Sequence, residues 1–208
     1  MFKDRKEAGE LLAKKLKKYK NKKNVVVVGL TRGGVLVSYV IAQLLNLPHD
    51  ILVVKKIGSP YNPELAIGAV GPKSTVYWDI DLCKELSITT RIKNQESRIM
   101  NQERKERERI LRGKRKPLDI NEKIAILVDD GVATGATAIA ASLYLKKQKV
   151  KSILFAIPII SKDTLEKVRT YFDRIIALQV VNDFQAVGQF YQNFPQVSDN
   201  EVIVLLSL

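Results

Sequence analysis

Runs of consecutive apolar residues alternate along this chain with segments whose apolar residues recur every three or four positions. A continuous apolar run is typical of a strand buried on both faces, and the longer spacing is typical of an amphipathic helix. The runs predict strands at NVVVVGL (24–30), DILVVKKI (50–57), KIAILV (123–128), VKSILFAIPII (150–160) and RIIALQVV (174–181). The helical spacing predicts helices over residues 4–19, 35–45, 136–147 and 161–171.

Two further segments lie between the second and third of these strands. The stretches ELAIGAV (64–70) and STVYWDI (74–80) flank Gly-Pro-Lys, which predicts a hairpin. Residues 81–113 contain no proline and are rich in Glu, Arg, Lys and Gln. This composition predicts one long, mostly exposed helix that ends at Gly113.

Strands that alternate with helices in this way predict an α/β fold. We expect a doubly wound, mostly parallel central sheet with helices on both faces. Because domains cluster near roughly 100–200 residues, residues 1–208 are expected to form a single domain.

The formal net charge of +13 is concentrated in two tracts. Residues 1–23 hold ten Lys or Arg against three Asp or Glu, and residues 84–117 hold twelve against five. Such tracts attract phosphate-rich partners or form solvated helix faces. No apolar stretch reaches the roughly 18–20 residues that span a bilayer, so we expect a cytoplasmic protein without a membrane partner. A lone Cys83 and a lone His49 give no disulfide and no credible metal or thiol site.

Glycine-rich loops follow two of the predicted strands, TRGG (31–34) and DDGVATGAT (129–137). Because the carboxyl ends of parallel strands share one edge of a sheet, we expect both loops to lie together, beside helix N-termini. The glycines leave backbone amides unshielded and the threonines add hydroxyls, which suits a phosphate group. The paired carboxylates of Asp129 and Asp130 suit sugar hydroxyls or a divalent cation.

The stretch ILVDDGVATGAT (126–137) resembles the signature of the type I phosphoribosyltransferases. In that signature apolar residues, two acidic residues and two variable residues precede a small residue, Thr-Gly, a variable residue and Thr. Members of the family bind 5-phosphoribosyl 1-diphosphate. The resemblance implies that Asp129 and Asp130 approach the ribose 2- and 3-hydroxyls. It implies that the 5-phosphate is held by the following loop, made of Gly131, Val132, Ala133, Thr134, Gly135, Ala136 and Thr137.

The stretch GLTRGG (29–34) is similar to the pyrophosphate loop of the same family. There Thr31, Arg32, Gly33 and Gly34 would present backbone amides and a guanidinium to the diphosphate. The family's loop often contains a cis peptide, which we expect around Thr31 and Arg32. The resemblance also places Lys55 and Lys56 close to the position of a basic residue near the diphosphate. Arg32 and Lys55 join the acidic pair as candidate catalytic residues.

Outside these loops, KIGSPYNPELAIGAV (56–70) and FQAVGQFYQNFPQVSDNEV (184–202) are similar to a branch of stand-alone predicted phosphoribosyltransferases with an undefined acceptor. The resemblance therefore covers most of the chain. It implies a small hood over the ribose, built from residues 58–80, residues 182–208 or both. Residues 81–113 stand where the family usually has its flexible catalytic loop.

The reaction that the resemblance implies is displacement of pyrophosphate from the anomeric carbon by a base or another nitrogen acceptor, in nucleotide metabolism. Mg²⁺ would be the cofactor, with Asp129 and Asp130 as its candidate ligands, and family precedent implies a homodimer. Ala133 stands where members that act on 6-oxopurines carry an aspartate credited with proton transfer. This difference disfavours hypoxanthine and guanine as acceptors and leaves adenine open.

The alternative is a non-catalytic sensor of the diphosphate, or a nucleic-acid-binding regulator, of the same fold. The two basic tracts suit such a regulator. A nucleic-acid partner is less favoured, because the long helix mixes glutamates with its cations and the N-terminal helix lacks the aromatics of a single-strand binder.

Overall fold

The strands form two separate sheets in the computed structural model, which describes residues 1–207. The strands are β1 (Val25–Leu30), β2 (His49–Leu52), β3 (Lys55–Ser59), β4 (Asn62–Val70), β5 (Val76–Trp78), β6 (Ile124–Val128), β7 (Ser152–Ser161) and β8 (Arg174–Val181). The larger sheet is parallel, has five strands in the order β2-β1-β6-β7-β8, and confirms the predicted fold class. The smaller sheet is antiparallel, in the order β3-β4-β5.

Helices cover both faces of the parallel sheet, which explains why the central strands β1 and β6 are apolar runs. Val25 and Val27 of β1 pack on the face that carries the first two helices, and Val26 and Val28 pack on the opposite face. Each fully buried side chain of this size contributes about 1.5–3 kcal/mol. The helices are α1 (Arg5–Lys15), α2 (Gly33–Leu45), α3 (Ile80–Glu85), α4 (Thr90–Arg112), α5 (Ala136–Lys147), α6 (Lys162–Val168) and α7 (Asp199–Ser207).

The structure corrects the predicted strand over residues 50–57. The apolar run is divided between β2 of the parallel sheet and β3 of the small sheet. Val53 and Val54 lie at the crossing, where the chain passes from the parallel sheet to the small sheet. They are buried in different hydrophobic clusters. Because both sides of the crossing are apolar, the sequence pattern shows no break there. The hairpin across Gly-Pro-Lys is confirmed by the antiparallel pairing of β4 with β5.

The long helix predicted over residues 81–113 is also divided. Ser87 has a φ of +52° and separates α3 from α4. The Thr89 side chain then accepts a hydrogen bond from the Ile92 amide, which caps the start of α4. Of the helices within residues 1–207, none combines the length and apolar character needed to cross a membrane.

Candidate active site

A cleft of about 210 Å³ opens at the carboxyl ends of β1 and β6. The two strands are parallel neighbours, with Gly29 beside Val128, so the loops that follow them meet as predicted. The cleft is lined by Leu30, Thr31, Arg32, Gly33, Val54, Lys56, Asp129, Asp130, Gly131, Val132, Ala133, Thr134, Gly135, Thr137 and Val187.

The loop after β1 lies directly against the acidic pair. Its Thr31–Arg32 peptide bond is cis, as expected from the sequence. A Cβ at Gly34 would lie 2.7 Å from the Val128 carbonyl oxygen and 2.8 Å from the Asp129 Cα. Backbone atoms cannot move aside as a flexible side chain can, so this close approach requires glycine.

The loop after the acidic pair is fixed from behind by β7 and α6. The Val132 amide donates to the Ile159 carbonyl at 3.1 Å, and the Thr164 hydroxyl donates to the Ala133 carbonyl at 2.6 Å. Gly135 has a φ of +77° and precedes α5 without a side-chain cap. Gly135 and Thr137 line the cleft, so α5 begins at the cleft and its first-turn amides lack the partner that a capping side chain would supply.

Asp129 and Asp130 are held in different ways. The Asp129 carboxylate accepts the Asp130 amide at 2.9 Å. Burial, and then the neighbouring Asp130 charge, raise the pKa of Asp129 well above its usual value, and Lys56 opposes this shift. The Asp130 carboxylate instead receives the Arg5 guanidinium at 2.7 Å, and its backbone carbonyl accepts the Tyr191 hydroxyl at 2.6 Å.

Two cationic side chains, Arg32 and Lys56, line the cleft. Lys56 lines the cleft, whereas Lys55 points to the other side of β3 and forms an ion pair with Glu103 at 2.6 Å. Successive side chains of a strand point to opposite faces, so only one of the two lysines can enter the cleft. Arg32 lines the cleft and its guanidinium also lies 3.6 Å from Asp199 of α7.

The structure therefore brings together most of the residues selected from the sequence. Gly34 and Ala136 lie behind the cleft lining, where they shape the backbone, and Lys55 lies outside the lining. Arg5 had no signal in the sequence, since it reaches the site from a distant part of the chain, and Val187 lies in the expected hood segment but was not selected as a site residue. A buried arginine in an amphipathic helix is detectable only once its partner is known.

The acidic pair does not form a complete metal-binding cage. Within residues 1–207, no three side chains of His, Cys, Asp or Glu converge as a metal site would require. Asp130 already receives the Arg5 guanidinium, which reduces its attraction for a bare cation. The donor set fits an ion that arrives with its own phosphate and hydroxyl oxygens better than a resident ion.

Comparisons with known proteins agree with this geometry. Residues 3–194 match the family model for the phosphoribosyl transferase domain. Two Mycobacterium tuberculosis proteins named "Putative phosphoribosyl transferase" are each 37% identical to this chain over 206 residues. The match covers 99% of this chain and 46% of each relative, so the chain spans about half of their length.

Solved structures show the same fold. The crystal structure of TT1426 from Thermus thermophilus is 33% identical and aligns with a TM-score of 0.83, covering 99% of this chain and 97% of that one. A hypoxanthine-guanine phosphoribosyltransferase from Bacillus anthracis is 12% identical and aligns with a TM-score of 0.53, covering 91% and 89% of the two chains. The second likeness concerns the fold alone. By its sequence match and by its fold, this chain belongs to the phosphoribosyl transferase domain family.

Proposed function

We propose that this protein binds 5-phosphoribosyl 1-diphosphate in the cleft and transfers its phosphoribosyl group to a nitrogen acceptor with release of pyrophosphate. The observation that carries the proposal is that one cleft brings together three kinds of chemical group. Its lining contains the cations Arg32 and Lys56, the carboxylates of Asp129 and Asp130, and the Thr- and Gly-rich loop at the start of α5. Diphosphate, ribose and 5-phosphate require cations, hydroxyl acceptors and amide donors respectively.

Each part of the cleft has a distinct role in this proposal. The 5-phosphate lies at the α5 N-terminus, where Thr134 and Thr137 add hydroxyl donors. Asp129 and Asp130 accept hydrogen bonds from the ribose hydroxyls while the ring flattens. Arg32 and Lys56 stabilise the negative charge that develops on the departing pyrophosphate. We assign this last role to Lys56 in place of Lys55, because Lys56 lines the cleft.

Positioning is a second contribution that this cleft offers. A donor held at three points is oriented before the acceptor attacks, and well-oriented reactants gain up to about 7–11 kcal/mol. A bound Mg²⁺ would neutralise part of the charge of the diphosphate. The two carboxylates lie where they can contact that ion or the ribose hydroxyls.

The acceptor is the part of the reaction that the cleft constrains least. Ala133 has no group that can exchange a proton with a purine base, so we expect no turnover with hypoxanthine or guanine. We also expect a homodimer, as family precedent implies.

The direct test is pyrophosphate release from the donor in the presence of Mg²⁺ and a panel of nitrogen bases, adenine included. Release with at least one acceptor supports the transferase. Donor binding without release for any acceptor would favour the sensor of the same fold. A second test uses Arg32→Ala, which should weaken 5-phosphoribosyl 1-diphosphate far more than ribose 5-phosphate; equal losses would contradict the role of Arg32.

A further inference from the structure

Two arginines from distant parts of the chain converge on one carboxylate at the edge of the cleft. The Arg32 Nη1 and the Arg107 Nη1 lie 3.6 Å and 3.4 Å from the same oxygen, Oδ1 of Asp199. Arg32 follows β1, Arg107 lies in α4, and Asp199 begins α7. Their side chains are 28%, 33% and 32% exposed, so a ligand from solvent can reach this point.

The carboxylate satisfies neither arginine well. Charge-assisted hydrogen bonds between a guanidinium and an oxygen acceptor are about 2.7–2.9 Å long, and both distances here exceed that range. A single negative charge also lies between two positive charges. A diphosphate carries more oxygens and more charge than one carboxylate, so it can bind both guanidinium groups at shorter distances.

Arg107 differs in this respect from the other arginines in the second half of α4. Arg104 and Arg112 are buried by their ion pairs with Glu108, and Arg109 is 73% exposed and paired with Glu106. Arg107 instead lines a groove of about 460 Å³ that also contains Lys55 and Asp199. This groove adjoins the cleft, because the pair between Arg32 and Asp199 connects the two.

We propose that Arg107 is a second diphosphate-binding guanidinium, and that Asp199 occupies part of the place that the diphosphate takes between Arg32 and Arg107. The inference rests on the proposed function, since that function puts a diphosphate beside Arg32. It assigns one cation of the long basic helix to the site. It also makes Asp199 an internal competitor of the ligand. When the diphosphate binds, the Asp199 carboxylate must give up its contacts with Arg32 and Arg107.

The test is isothermal titration calorimetry with three probes in the presence of Mg²⁺: 5-phosphoribosyl 1-diphosphate, inorganic pyrophosphate and ribose 5-phosphate. Arg107→Met should weaken both diphosphate ligands by about tenfold, because it removes one charge-assisted contact. Arg109→Met, on the same helix, should leave both affinities unchanged. Asp199→Asn should strengthen both by about threefold, because it removes the competing charge. Ribose 5-phosphate should bind equally to all of these variants.

The outcomes separate this inference from the proposed function. Unchanged diphosphate binding by Arg107→Met, or an equal loss for ribose 5-phosphate, would overturn the role of Arg107. Binding by Asp199→Asn that is no tighter than wild type would overturn the role of Asp199. If pyrophosphate responds to both substitutions but the phosphoribosyl donor does not bind, the anion site stands and the proposed function fails. Circular dichroism of each variant confirms that it is folded.

Discussion

The substitution Arg5→Met is the sharpest test of how Asp130 is held in place. Its Nε donates to the Asp130 carboxylate at 2.7 Å and its Nη1 donates to the Pro195 carbonyl at 2.8 Å. Its guanidinium carbon also lies 3.7 Å from the centroid of the Phe194 ring. The Arg5 side chain of α1 therefore connects Asp130 to the segment that contains Phe194 and Pro195.

The size of the expected effect follows from burial. The side chains of Arg5 and Asp130 are only 7% and 13% exposed. Removing one partner of a buried pair costs about 3–5 kcal/mol, and we expect the lower end because Asp130 is partly exposed. Methionine retains most of the apolar stem, so the loss comes from the charge and its hydrogen bonds. A loss of about 3 kcal/mol lowers the Tm of a chain of this length by about 6–12 °C.

Urea denaturation, read as the free energy of unfolding and its m-value, measures this effect. Arg169→Met is the matched control, because its ion pair with Glu166 is 73% and 62% exposed. Exposed pairs contribute less than about 1 kcal/mol. Arg5→Lys keeps the charge and should restore part of the loss. A loss for Arg5→Met no larger than that for Arg169→Met would refute the reasoning.

Three further predictions concern Arg112, Gly34 and His49. Arg112→Met should lower the free energy of unfolding by about 3–5 kcal/mol, because it leaves the Asp50 carboxylate buried without its partner at 2.7 Å; an unchanged urea midpoint would contradict this. Gly34→Ala should reduce donor affinity more than about tenfold in a calorimetric titration, since the new Cβ would meet backbone. Gly71→Ala, whose Cβ would have no atom closer than 3.4 Å, should have no such effect, and equal losses would rule out the argument. Burial lowers the pKa of His49 from 6.5 to about 4, so the unfolded chain takes up the proton first and stability should fall as the pH drops from 6.5 toward 4. The contribution is on the order of 3 kcal/mol, and urea denaturation of His49→Gln should show a flatter pH dependence than wild type.

The strands and the position of the site were predictable because both depend on local patterns. β1 and β6 are continuous apolar runs, and such runs form strands only where both faces of the sheet are covered. Parallel pairing then places the loops after them at one edge, whatever the rest of the chain does. The glycines and threonines at 131–137 indicate an anion-binding turn through their backbone freedom and hydroxyl groups.

The contacts that complete the site depend on residues far apart in the chain. Arg5 and Asp130 are 125 positions apart, and neither has a neighbour that signals the pair. Lys55 and Lys56 are chemically equivalent in the sequence. Only the orientation of β3 in the fold determines which of the two side chains faces the cleft. The crossing between β2 and β3 was missed for a related reason, because Val53 and Val54 are apolar on both sides of it.

The central claim is that Asp129, Asp130 and the turn at residues 131–137 bind the ribose 5-phosphate part of 5-phosphoribosyl 1-diphosphate. A calorimetric titration of this ligand with Mg²⁺, for wild type and for the double variant Asp129→Asn with Thr134→Val, tests it most directly. We expect saturable binding at one site per chain by wild type and loss of that binding by the double variant. Absence of binding by wild type, or equal affinity for both proteins, would contradict it.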